Sequence, residues 1–307
     1  MSRLRVGVVG VGSLGRHHAR ILAAMADVDL VGVADIKPER AQEVAANHNT
    51  AAFTSASDLL GRVDAVSIAT PTVSHVDVAL PFVESGIAVL VEKPLAASLA
   101  DADRLVTAAA ARGAILAAGH TERFNPAVAA ALPMVSSPRF VEIHRLGTFP
   151  ERSLDIDVIF DLMIHDLDLL LATVGSDVES VEAVGVNVLT PRIDIANARL
   201  RFASGCVANV TASRISRDRV RKARFFQHDA YISIDYAAQE LEVYRLVSQN
   251  GGRPAITGGR VDIQNDEPLR RELDDFVRAV RNRRQPTVTG HDGRAALALA
   301  TRIAERM

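Results

Sequence analysis

The sequence predicts an α/β protein in two parts: a doubly wound parallel sheet over residues 1–121, then an α+β domain over residues 122–307 with a large, mostly antiparallel sheet. Three observations carry this prediction. Strand and helix signals alternate through the first part of the chain. The apolar run Val6-Gly7-Val8-Val9 leads straight into Gly10-Val11-Gly12-Ser13-Leu14-Gly15, with Asp35 following at the end of a second apolar run. From residue 193 onward, strand signals follow one another without helices between them.

In chain order, residues 6–9, 30–34, 65–69, 88–91 and 115–118 are continuous apolar runs, the pattern of parallel strands buried on both faces. Helical stretches separate them at residues 13–25, 38–46, 74–85 and 98–112. In the first, Leu14, Ile21, Leu22 and Met25 share a face that packs on a sheet. Pro38 suits a first helical turn, and Gly86 and Gly113 suit helix ends. Pro126, Pro133 and Pro138 then punctuate a connecting stretch before one strongly apolar helix at residues 157–174. Residues 193–202 and 206–213 form a hairpin through Ala203-Ser204-Gly205, and strands at 223–226, 231–235 and 240–246 follow. Residues 249–259 read as a polar, glycine-rich loop, and helices at 268–283 and 293–307 close the chain.

Composition narrows the function classes. A chain of 307 residues with 48% hydrophobic residues is globular and large enough for a sizeable core. Its 35 basic and 37 acidic side chains give no electrostatic case for nucleic acid or an anionic membrane as partner. The run behind Arg3 and Arg5 is short and broken by glycine, so it reads as a strand, not a secretory leader, and a cytoplasmic protein is expected. The lone Cys206 excludes an internal disulfide and reads as a small core residue.

The glycine run is the dinucleotide fingerprint. Gly10 allows the tight turn, Gly12 lets the backbone approach a pyrophosphate, and Gly15 lets the next helix lie close to the strand. Phosphate would meet the helix start near Ser13 and Leu14. Asp35 would accept hydrogen bonds from the adenine ribose and repel a 2′-phosphate, favouring NAD over NADP, although Lys37 and Arg40 lie close enough to soften the preference. The alternative for Asp35 is an N-cap for the helix at Pro38.

Thr70-Pro71-Thr72 and Glu92-Lys93-Pro94 fall at carboxyl ends of strands, where ligands bind in such sheets. Lys93 there is a proton-handling candidate, and an exposed Glu92–Lys93 ion pair is the alternative. His75 opens the next helix and either faces the cofactor or packs. On the apolar helix, Asp157, Asp161, His165 and Asp168 form one stripe at 3.6-residue spacing, opposite Ile159, Met163, Leu167 and Leu170. Asp161 and His165 are close enough for the carboxylate to make the imidazole a base, and a structural Asp–His bond is the alternative. No second His-rich segment completes a metal site. His17 and His18 read as packing or surface groups, and six basic residues between Arg214 and Arg224 read as a solvated edge or a diphosphate contact.

G-V-V-G-V-G-S-L-G-R-H-H-A, A-T-P-T-x-x-H, V-E-K-P-L-A and D-x-x-x-H-D-x-D together resemble the glucose–fructose oxidoreductase/inositol dehydrogenase/rhizopine-catabolism (Gfo/Idh/MocA) family over nearly the whole chain. The resemblance implies a Rossmann domain, NAD as cofactor, Lys93 and His165 as catalytic pair, and Asp161 orienting substrate or His165. It implies a cis peptide before Pro94 and a nicotinamide site lined by Thr70, Pro71, His75, Glu92, Lys93 and Pro94. It also implies homodimers or homotetramers built through the exposed face of the second sheet.

Within the family, G-H-T-E-R-F-N-P-A, D-V-I-F-D-L-M-I-H-D-L-D, I-D-I-A-N-A-R-L-R-F-A-S-G-C-V-A-N-V-T-A-S-R and D-A-Y-I-S-I-D-Y are similar to members that oxidise the 3-hydroxyl of UDP-N-acetylglucosamine on the way to lipid A. Many free-sugar and inositol members have glycines before the catalytic helix, where this chain has Ile156, Val158, Ile159 and Phe160. This resemblance puts Arg123, Asn125, His165 and Arg214 at the substrate and makes an aminotransferase the partner that traps the keto sugar. The alternatives are another nucleotide sugar, a free aldose or inositol as substrate, or an NAD-binding sensor without turnover.

Overall fold

The structure is a computed structural model describing residues 2–149, 156–247 and 255–307. The chain divides into two compact units, Met1–His120 with Leu269–Leu297, and Thr121–Pro268 with Ala298–Met307. Among the described residues no helix is long and apolar enough to cross a membrane.

The first unit is a doubly wound sheet. Its elements are β1 (Leu4–Val9), α1 (Gly15–Ala24), β2 (Val28–Ala34), α2 (Pro38–His48), β3 (Ala51–Phe53), β4 (Ala65–Ile68), α3 (His75–Glu84), β5 (Ala88–Glu92), α4 (Leu99–Arg112) and β6 (Leu116–Gly119). The strand order is β3-β2-β1-β4-β5-β6 with every pairing parallel. All residues of β4 and β5 are buried, as continuous apolar runs between two layers must be. The strand order reverses between β1 and β4, and their carboxyl ends carry the glycine loop and Thr70. The sixth strand, β3, was not expected: it is three residues long and mostly exposed, so it has no apolar run to announce it. On α1 the buried face is His18, Ala19, Ile21 and Leu22, while Leu14 precedes the helix 41% exposed and leaves the packing stripe assigned to it. Gly86 and Gly113 sit at helix ends with φ of 74° and 61°, a conformation costly for any residue with a Cβ.

The second unit contains α5 (Pro126–Ala131), β7 (Phe140–Leu146), a π-helical turn (Ile159–Met163), α6 (Ile164–Val174), and β8 (Val178–Val186) to β14 (Ala255–Val261). The intervening strands are β9 (Ile195–Phe202), β10 (Val207–Ser213), β11 (Val220–Phe226), β12 (Ala230–Asp235) and β13 (Glu240–Val247). The eight-stranded order is β14-β13-β12-β11-β7-β10-β9-β8, antiparallel except where β7 meets β10. The β9–β10 hairpin forms where expected, with Gly205 at φ 82° in its turn. Cys206 is fully buried, and burial pushes its thiol up to about 11, which fits a core residue.

Three strands here were not foreseen. β8 and β14 lie at the sheet's edges with mostly exposed side chains, and β7 interleaves polar Glu142, His144 and Arg145 with its apolar positions. Residues 255–259, expected as loop, belong to β14, while residues 249–254 of that expectation lie outside the described residues.

The last two helices are α7 (Pro268–Asn282) and α8 (Gly290–Ala304). Leu273, Phe276 and Val277 of α7 join the core cluster of Val6, Leu22 and Leu30. Thr289 bridges Ala117, and Ala118 N–H donates to the Val288 carbonyl at 3.2 Å. Residues 269–297 therefore belong with the first unit, unlike the single break at 121/122 expected from sequence. The apolar face of α7 shows that it must cover something; it does not say which sheet.

Candidate active site

The three glycines of the loop have three different surroundings. Gly10 has φ +81°, and a Cβ there would sit 2.8 Å from the carbonyl carbon and oxygen of Ala69. A Cβ on Gly15 would collide with the Gly10 carbonyl oxygen, which is how closely α1 approaches the strand. A Cβ on Gly12 would meet only Arg40 Nη1, at 3.4 Å. The space over Gly12 is thus open, as close approach of a pyrophosphate requires. Ser13 and Leu14 are exposed beside it, and α1 begins with no side-chain cap, an arrangement that favours an anion.

Asp35 follows β2 and is 6% exposed. Its Oδ2 accepts the Val11 N–H and its Oδ1 the Lys37 N–H, both at 3.0 Å. Lys37, not Asp35, is the N-cap of α2, so the capping alternative falls away. Arg40 Nη1 stands 3.4 Å from Oδ2, so the nearby cation is engaged by the acid.

Beyond β4, the Thr70 hydroxyl is buried with no hydrogen-bond partner among the described residues. A buried hydroxyl in that state calls for a ligand or water. His75, 1% exposed, ties this loop to the next: its ring nitrogens lie 2.9 Å from the carbonyl oxygens of Thr70 and Pro94. Burial lowers its pKa, opposed by those carbonyl contacts, so the neutral ring has one N–H to share between two acceptors. His75 therefore shapes the loops from behind. The Lys93–Pro94 peptide is cis, as the family resemblance implied, and Lys93 is half-buried. Glu92 is 5% exposed, so an exposed Glu–Lys pair is not what the structure contains. Open space over Gly12, an uncapped helix start, a carboxylate after β2 and the orphaned Thr70 hydroxyl all fit a bound dinucleotide.

Sequence reasoning missed His18. It is fully buried, with Nδ1 2.8 Å from Ser67 Oγ and Nε2 3.1 Å from Glu92 Oε1. Its spacing from Ile21 and Leu22 put it on the sheet-facing stripe, which was the signal available.

In the second unit, Ile159, Met163, Leu167 and Leu170 are fully buried, as their stripe predicted. The polar stripe behaves differently, because Ile159–Met163 forms a π turn whose wider spacing breaks the 3.6 period. Asp157 Oδ1 accepts the Ile193 N–H at 2.9 Å, and Asp168, 2% exposed, lies 3.7 Å from Arg123 Nε. Asp161 in the π turn and His165 in the first turn of α6 remain half-buried. Asp166, which the stripe omitted, is fully buried and receives Nε and Nη2 of Arg145, each at 2.8 Å. Nη1 of Arg145 reaches Glu122 at 2.9 Å, and its guanidinium lies over the Tyr236 ring. Burial opposes the Arg145 charge, but Asp166 and Glu122 hold its pKa above the ordinary value.

Two substrate assignments need correction. Asn125, 2% exposed, caps α5 by accepting the Ala127 N–H at 3.1 Å and donates to the Tyr236 carbonyl at 2.9 Å. Arg214, also 2% exposed, donates to Asp194 Oδ1 at 2.9 Å, the Ile156 carbonyl at 2.6 Å and Thr190 Oγ1 at 3.2 Å. Its guanidinium is an internal anchor, not a surface for a diphosphate. Asp194 accepts the N–H groups of Val188, Leu189 and Thr190 as well. Burial opposes its ionisation, but these donors and Arg214 hold its pKa below the usual carboxylate range. Further along the basic run, Lys222 pairs with Asp235 at 3.3 Å and Arg224 with Glu142 at 2.7 Å, as on a solvated edge.

Residues 4–120 match the family model described as "Oxidoreductase family, NAD-binding Rossmann fold", and residues 139–233 match "GFO/IDH/MocA C-terminal domain". The chain is 42% identical over 305 residues to the UDP-N-acetylglucosamine 3-dehydrogenase of Acidithiobacillus ferrooxidans, covering 99% of this chain and 97% of the relative. It is 27% identical over 321 residues to the myo-inositol 2-dehydrogenase of Thermotoga maritima, covering 96% and 94%. A solved structure of the Acidithiobacillus enzyme is similar with a TM-score of 0.93 at 40% identity, covering 100% of this chain and 98% of that one. Levoglucosan dehydrogenase in complex with NADH, 20% identical with a TM-score of 0.90 over 99% and 97% of the chains, shares the fold.

Proposed function

The chain belongs to the GFO/IDH/MocA oxidoreductase family, whose N-terminal domain binds NAD, and from that premise we propose that it oxidises the 3-hydroxyl of UDP-N-acetylglucosamine to a ketone. The observation that carries this reading is full-length similarity to an enzyme of that name, well above the similarity to the inositol dehydrogenases.

NAD, when bound, supplies the acceptor for the hydride leaving the sugar carbon. His165 accepts the proton of the hydroxyl as that C–H bond breaks, so proton and hydride depart from the same carbinol. Lys93 stabilises the developing negative charge on the oxygen, and Asp161 fixes the imidazole or the sugar. Arg123 stays beside the substrate in this scheme. Asp35 and the open Gly12 hold the adenosine and pyrophosphate ends.

Alcohol oxidation by NAD is uphill near neutral pH, so a following reaction must draw off the ketone, and an aminotransferase is the partner we assign. A second copy is assigned to the outer face of the eight-stranded sheet. There Phe140, Phe226, Tyr231 and Tyr244 form an aromatic ladder with centroid spacings of 5.6, 5.2 and 6.2 Å, flanked by exposed Leu246 and Ile256.

The test is reduced-nicotinamide absorbance on a panel of UDP-sugars, free aldoses and inositols. Turnover with UDP-N-acetylglucosamine is expected, with His165→Ala and Lys93→Ala each lowering kcat by about 10²- to 10⁴-fold. Activity on inositol and none on UDP-sugars would overturn the substrate; unchanged turnover in both variants would overturn the residue roles.

A further inference from the structure

Glu92 ends β5, immediately before Lys93, with its carboxylate inside the protein at 5% exposure. A carboxylate there is expensive unless the interior supplies charge or donors. The Lys93 N–H donates to Oε2 at 3.2 Å, and His18 Nε2 lies 3.1 Å from Oε1. The His18 ring thus sets a polar nitrogen against this carboxylate. On its other side the imidazole is held by Ser67 Oγ on β4 at 2.8 Å, and both residues are fully buried. Gly119 of β6 closes the remaining side: a Cβ there would sit 2.9 Å from Glu92 Cδ and Oε2. One carboxylate thus connects α1, through His18, to the backbone of Lys93.

We propose that His18 is a positioning residue for the reaction, holding the Glu92 carboxylate so that its other oxygen fixes the Lys93 backbone and aims the Lys93 amine. This rests on Lys93 being the catalytic lysine of the function proposed above. Because His18 lies on α1, whose N-terminus borders the glycine loop, the same contact links the pyrophosphate end of the cofactor site to its reactive end.

The chain has three lysines, Lys37, Lys93 and Lys222, so reductive ¹³C-methylation gives an NMR spectrum in which the Lys93 signal is assigned with Lys93→Arg. In wild type the Lys93 signal is expected to stand apart from the other two and to shift when NAD alone is added. His18→Leu, folded by its thermal transition, is expected to bring that signal toward the exposed-lysine position. Its kcat is expected to fall about 10- to 100-fold with KM for NAD within about twofold, the loss that a displaced group produces. His18→Gln, which keeps a side-chain donor toward Glu92, is expected to recover most of both. Should His18→Leu fail to fold, Glu92→Gln is read in the same way. A folded His18→Leu or Glu92→Gln with the wild-type Lys93 signal, or with unchanged kcat and only a raised KM, would overturn the proposal. The NMR reading needs no sugar, so a wrong substrate leaves it standing.

Discussion

The two units hold their candidate site residues by different means. In the first, backbone does most of the holding: the Val11 and Lys37 N–H groups fix Asp35, the Thr70 and Pro94 carbonyls fix His75, and the Lys93 N–H fixes Glu92. In the second, buried side-chain charges do it: Arg145 with Asp166 and Glu122, Arg123 with Asp168, and Arg214 with Asp194. A parallel sheet brings strand ends and loops together, so main-chain groups are at hand there. A helix such as α6 uses its main-chain groups internally and must be anchored through side chains. The second arrangement is more exposed to single substitutions, because removing one partner leaves an uncompensated charge.

The largest expected effect tests that contrast. Arg145→Met leaves the fully buried Asp166 and the half-buried Glu122 without their shared cation and should cost about 3–5 kcal/mol of unfolding free energy by urea titration. A loss under about 1 kcal/mol, the range of exposed pairs, would remove the distinction between the two units. Next come two glycine changes in the first unit. Gly12→Ala should fold normally, since its Cβ meets only the flexible end of Arg40, yet weaken NAD binding by about tenfold or more because the pyrophosphate needs that space. Gly15→Ala should lose stability as well, since its Cβ runs into the Gly10 carbonyl. Calorimetric NAD titration and thermal melts of the pair separate ligand space from packing space; equal melting losses would contradict the assignment.

The smallest effect is one of pH. The folded pKa of His75 is below the unfolded one, mainly through burial, so the unfolded chain binds the proton more readily. Stability from this group is present above the ordinary histidine pKa and is lost as pH falls through that value toward the lowered one. Wild type should therefore lose more stability than His75→Asn between neutral pH and the lower end of that window, measured by urea unfolding. Parallel pH curves would show that the ring stays charged between its two carbonyls.

The same contrast explains what the sequence revealed. The glycine loop, Asp35, and the Thr70 and Lys93 loops were legible because each follows a short apolar strand in a fixed local order. His18 was overlooked because a histidine on an apolar stripe gives no hint of the Glu92 that meets it from another strand. In the second unit, helical spacing singled out Asp161 and His165 as candidates, but the π turn altered the stripe they sit in. Arg214 read as a ligand contact because it begins a basic run, whereas Asp194, its actual partner, lies 20 residues earlier in the chain. Edge strands β8 and β14 lacked an apolar period because few of their side chains are buried.

Hydride transfer from the sugar is read by isotope, using UDP-N-acetylglucosamine deuterated at C3 and NAD, with the reduced nicotinamide recovered for mass measurement. The reduced cofactor is expected to gain the deuterium with wild type, and the transfer to be suppressed in His165→Ala. Reduced cofactor without deuterium, or equal transfer by His165→Ala, would contradict it.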